Sequence, residues 1–143
     1  MDDPKRKELR TLLSTLEADR EQDRLRERDR KIEKNRYVYR FEELSRSVIL
    51  PTLRELILDL EKRGHLARLV RKSAERFRLD VQIEAQASRR CALEISLHST
   101  ELGKVKVDYA WGWRTAEPEV YLLEEVDAGL VSGWLLKLLK GLG

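Results

Sequence analysis

Between Phe41 and His65 apolar and charged residues are sorted at helical spacing. Phe41, Leu44, Val48, Ile49, Leu53, Leu56, Ile57 and Leu60 recur at steps of three and four, so they share one face. Glu42, Glu43, Arg46, Arg54, Glu55, Asp59, Glu61 and Lys62 fill the other side. Gly64 is placed for a left-handed C-cap, and Lys62 and Arg63 suit the negative end of the helix dipole. Pro51 lacks a backbone donor and crowds the carbonyl of Ser47, which predicts a kink there or two helices end to end. Burying each large aliphatic residue contributes roughly 1.5–3 kcal/mol. Eight on one stripe require a covering surface.

A period of two supplies that surface. Phe77, Leu79, Val81, Ile83 and Ala85 alternate with Arg78, Asp80, Gln82, Glu84 and Gln86. Cys91, Leu93, Ile95 and Leu97 form a second alternating run, and Val105, Val107, Tyr109, Trp111 and Trp113 a third. Val120 to Leu123 predicts a fourth strand. Short turns between these runs imply an antiparallel meander with one packed and one wet face. Asp127 is an N-cap for a last helix, Ala128 to Leu142, whose stripe is Leu130, Val131, Trp134, Leu135, Leu138 and Leu139, widened by Leu136 and Leu142.

The first forty residues read differently. Asp3-Pro4 suits a helix start, and Leu9, Leu12, Leu13 and Leu16 make a short apolar stripe. From Glu17 to Arg36, 15 of 20 residues are charged, many at supportive spacings such as Glu21–Arg24 and Glu27–Lys31. Leu25, Ile32 and Tyr39 repeat every seven residues, on the side opposite Leu16. Three readings follow: a solvated helix, a dimerising helix, or a basic arm on nucleic acid. Its interleaved acidic residues weigh against the last. A break near Asn35 or Tyr37 would separate it from the Phe41 helix. The expected fold is therefore α+β: residues 1–36 a charged helical arm, residues 37–143 a four-stranded antiparallel meander packed against the long amphipathic helix and the C-terminal helix.

At 143 residues the chain can build one domain with a real core. Charged residues reach 38%, and the net charge of +3 lies in the N-terminal half. The most basic window, residues 61–76, carries six basic and two acidic residues. Leu66, Leu69 and Val70 look buried there, while Arg63, Arg68, Arg71, Lys72 and Arg76 project outward from a solvated connector. With Arg89 and Arg90, these are the candidate contacts to phosphate backbone or another anionic partner. The acidic run Glu117, Glu119, Glu124, Glu125 and Asp127 is a further candidate, for the basic window of another subunit.

Catalysis is poorly advertised. No glycine-rich phosphate loop, nucleophile elbow or paired-histidine zinc motif is present. His65 reads as a helix-end residue, and Cys91, in phase with core positions, as an inert buried thiol. A lone cysteine excludes an intrachain disulfide, and the charged residues from Asp2 onward are unlike a signal peptide. No apolar run approaches a membrane span, so the expectation is a cytoplasmic, non-enzymatic chain without cofactor or metal. Its partners would be itself, as a homodimer, and another protein; nucleic acid is the alternative. Self-association falls to Leu9, Leu12, Leu13, Leu16, Leu25, Ile32, Leu135, Leu136, Leu139 and Leu142. Trp111 and Trp113 keep the phase of Val105 and Val107, which makes them core residues, or partner anchors if the strand ends near Gly112.

Overall fold

The computed structural model describes residues 3–85 and 87–143. Asp2 and Gln86, which entered the readings above, lie outside them. The elements are α1 (Pro4–Leu44), a π-helical turn (Ser45–Ile49), α2 (Leu50–Lys62), β1 (Leu66–Ser73), β2 (Arg76–Ile83), β3 (Arg89–Leu97), β4 (Lys104–Trp111), β5 (Arg114–Thr115), β6 (Glu119–Leu122), a 3-10 turn (Leu123–Glu125) and α3 (Ala128–Lys140). The class is α+β, as expected. The chain divides into two compact units, Met1–Arg36 and Tyr37–Gly143.

Helix α1 begins where the sequence suggests, with the Lys5 amide donating to Asp3 Oδ1 at 3.2 Å. It stays helical through Asn35 and Tyr37. The irregularity forced by Pro51 falls just before it, as a π turn. Proline has no N–H for the Ser47 carbonyl, and a widened turn relieves the clash of its ring with that group. Two α segments thus run end to end, with Pro51 in the first turn of the second. That second segment, α2, stops in a Schellman motif: His65 N–H donates to Leu60 O and Gly64 N–H to Glu61 O, both at 3.0 Å, with Gly64 at φ 87°.

Strands β1 to β4 pair antiparallel in chain order, and β5 and β6 both pair with the far side of β4. The sheet thus has two strands beyond the four expected. One is the two-residue β5. The other is β1, in the segment read as a solvated connector. Its inward phase is Ala67, Leu69 and Arg71, and the Arg71 guanidinium lies 5.5 Å from the Phe77 ring. A core phase that ends in arginine, beside the adjacent pair Leu69-Val70, hides the period of two. Leu66, expected inside, falls on the outward phase and is 56% exposed.

All eight residues of the Phe41–Leu60 stripe join the core, with Phe41, Ile49 and Leu53 fully buried and Leu60 nearly so. They meet Phe77, Leu79, Val81, Leu93, Ile95, Val105, Val107 and Tyr109 on one sheet face. Phe41 and Phe77 stand ring to ring at 5.9 Å. Helix α3 completes the cover with Val131, Trp134, Leu135 and Leu138. Asp127 caps it by accepting the Leu130 amide at 2.8 Å. The opposite sheet face is charged and small, with Arg78, Glu94 and Asp108 in one cross-strand row and Asp80, Ala92 and Ala110 in the next.

Candidate interaction surfaces

Residues 4–36 form a helix with every position exposed. Ion pairs along its surface hold it, including Arg24–Glu21 at 2.6 Å and the looser Arg26–Asp23 at 4.0 Å. The guanidinium of Arg24 also holds the Glu21 carboxyl below the usual carboxylate range. Leu9, Leu12, Leu13 and Leu16 are each about half exposed, as are Leu25 and Ile32 on the opposite side. A lone helix has nothing of its own to cover either group. In proteins most helical stability comes from packing an apolar face. Both apolar groups are therefore open for contact.

The α3 surface is smaller than the leucine count suggested. Leu135 is buried against the sheet, and Leu139 and Leu142 are half-buried in the same core. Leu136 alone of the four stands clear, 53% exposed. The tryptophans separate. Strand β4 ends at Trp111, and Gly112, at φ 64°, turns the chain before the strand can reach Trp113. Trp111 stacks on Tyr109, donates Nε1–H to Leu138 O at 2.7 Å and carries Arg114 over its ring at 4.9 Å. Trp113 is 96% exposed at the tip of the hairpin. It alone of the pair is open to a partner.

The basic window does not form one patch. Arg63 and Arg76 flank β1 at opposite ends, roughly 25 Å apart at about 3.3 Å per residue. Arg71 pairs with Glu42 at 3.3 Å. Lys72 lies 3.0 Å from Glu94 Oε1, within ion-pair range though not aligned as a hydrogen bond. Arg89 donates to Leu142 O, and Arg90 Nε donates to Gln82 Oε1 at 3.2 Å. Arg68 stands across from Asp80, which Arg78 already holds at 3.0 Å. The side chains of Arg63, Arg68 and Arg76 have no partner among the described residues.

One polar constellation escaped the sequence. Tyr109 donates its hydroxyl to Glu119 Oε1 at 2.5 Å, and Lys137 Nζ donates to Glu119 Oε2 at 2.8 Å. The same ammonium lies 4.9 Å from the Tyr109 ring centroid. Burial, then the bond to Glu119, pushes the Tyr109 phenol up. Burial also pulls the Glu119 carboxyl upward, but Lys137 and Tyr109 together leave it below its ordinary value. The trio ties α3 to β4 and β6. It occupies Glu119, as Arg40 occupies Glu124 at 3.0 Å, so two members of the acidic run are engaged within this unit. The register of β6 on β4, Val107 opposite Glu119, which the expected meander leaves open, brings Glu119 beside Tyr109.

The reactive residue types have structural surroundings. Cys91 is buried and its thiol is pushed up to about 11, by burial first and then by Asp80, which disfavours the thiolate. His65 Nδ1 accepts the Glu84 amide at 3.1 Å, and His98 Nδ1 accepts the Thr100 and Glu101 amides at 3.2 and 3.0 Å. No helix among the described residues is long and apolar enough to cross a membrane. In comparison with known proteins, no family model, no curated sequence and no solved structure matches the chain.

Proposed function

We propose that this chain is a non-catalytic, self-associating interaction module of the cytoplasm, a homodimer joined through its N-terminal helix. One observation carries the reading. Residues 4–36 are helical, entirely exposed, and hold six large aliphatic side chains that nothing in their own unit covers. A helix-on-helix contact buries such side chains with little other reorganisation. The module would then present Trp113 or Leu136 to a second protein, since aromatic anchors concentrate binding energy. A phosphate-backbone contact draws less support, because the basic residues are spread along β1 and Arg71, Lys72, Arg89 and Arg90 are already engaged.

Light scattering at high protein concentration tests the assignment. The native chain is expected at twice the chain mass. A variant with Leu9, Leu12, Leu13, Leu16, Leu25 and Ile32 changed to glutamine should run at the single-chain mass. Its circular dichroism from the sheet unit should be unchanged. A native chain that stays monomeric, or a variant that still dimerises, removes the N-terminal helix from the proposal.

A further inference from the structure

The seam through Leu25 and Ile32 specifies how a second copy would lie on it. At about 100° per residue, Glu21, Leu25, Arg28, Asp29, Ile32 and Arg36 fall within about 50° of one direction. All six are exposed. Reflection about the midpoint between Arg28 and Asp29 returns the same six positions, Leu25 exchanging with Ile32, Arg28 with Asp29 and Glu21 with Arg36. Every exchange joins apolar to apolar or basic to acidic.

We infer that this stripe is an isologous, antiparallel docking seam for a second copy of the same helix, centred between Arg28 and Asp29. The inference rests on the self-association proposed above and adds its orientation and register. In a twofold antiparallel pair, Leu25 of one copy packs on Ile32 of the other at two equivalent places. Arg28 meets Asp29 twice at the centre, and Arg36 reaches Glu21 at each end, where Arg24 already holds that carboxylate. A parallel pair in register sets each residue against itself instead. Arg28, Arg36, Glu21 and Asp29 would then each face a like charge, which flanking charges in paired helices are arranged to avoid. Charge complementarity selects the antiparallel pair. Helix dipoles act in the same direction, since antiparallel neighbours place opposite ends together.

Single-cysteine proteins test this, Leu25→Cys and Ile32→Cys, each carrying Cys91→Ala. In the antiparallel seam residue 25 faces residue 32, while two copies of residue 25 sit seven residues apart, about 10 Å. A disulfide needs Cβ atoms about 3.8 Å apart. Under mild oxidation the mixture should give the 25–32 disulfide, and each protein alone only background cross-linking. A charge swap gives an independent readout. Arg28→Asp alone should weaken dimerisation, and adding Asp29→Arg should restore it. Symmetric 25–25 disulfides in a dimer overturn the antiparallel seam and leave self-association standing. A dimer indifferent to both tests does the same. A native chain that never dimerises overturns both.

Discussion

Replacing Phe41 by alanine should lower the free energy of unfolding by about 3–5 kcal/mol, the usual cost of emptying a buried phenylalanine site. Phe41 has no exposed surface and stands against Phe77, where the end of α1 meets the sheet. Its carbonyl also accepts the buried Ser45 hydroxyl at 2.7 Å, at the entrance to the π turn. The Phe77 ring stands against the site and belongs to the sheet, which cannot readily move in to fill it. Urea unfolding followed through the buried Trp134 measures the loss. A change below about 1 kcal/mol, within the range of ordinary surface substitutions and mild core swaps, would mean that the helix is not held there.

Glu119→Gln should cost about 1–3 kcal/mol at neutral pH, because a charge-assisted bond to Lys137 and a short bond from Tyr109 share one carboxylate. The effect depends on pH in a defined direction. The folded carboxyl sits below its ordinary value. Its stabilisation is therefore complete above the unfolded value, about 4.3, and disappears as pH falls through the folded one. Urea midpoints of native and variant protein should differ most near neutrality and converge in acid. Parallel curves across that range would show that Glu119 titrates no differently folded than unfolded.

Strong periodicity made the covering helices and three strands legible. Eight apolar residues on one face of residues 41–60 admit few arrangements other than a helix on a core, and β2, β3 and β4 alternate cleanly. Strand β1 was hidden because its inward phase is Ala67, Leu69 and Arg71, weak and finally charged, so only pairing with β2 reveals it. Composition marked α3 as leucine-rich, but how many of its leucines stay free depends on the sheet beneath, which takes Leu135. Of the two readings of Trp111 and Trp113, alternation holds as far as Trp111, and the strand ends before Gly112, which leaves Trp113 exposed. Gly112 at positive φ separates two residues that alternation treats alike. The Tyr109–Glu119–Lys137 trio joins residues 10 and 18 apart in sequence, a relation set by tertiary pairing.

Packing of residues 4–36 against the same helix of a second copy would cover their exposed leucines and protect their amides beyond what the helix's own ion pairs give. Hydrogen–deuterium exchange of the native chain across a dilution series addresses it directly. Amides between Leu9 and Ile32 should exchange slowly in concentrated protein and faster on dilution, while those of β2, β3 and β4 keep one rate throughout. Fast exchange of the arm at every concentration would contradict it, leaving a solvated charged helix in place of an interface.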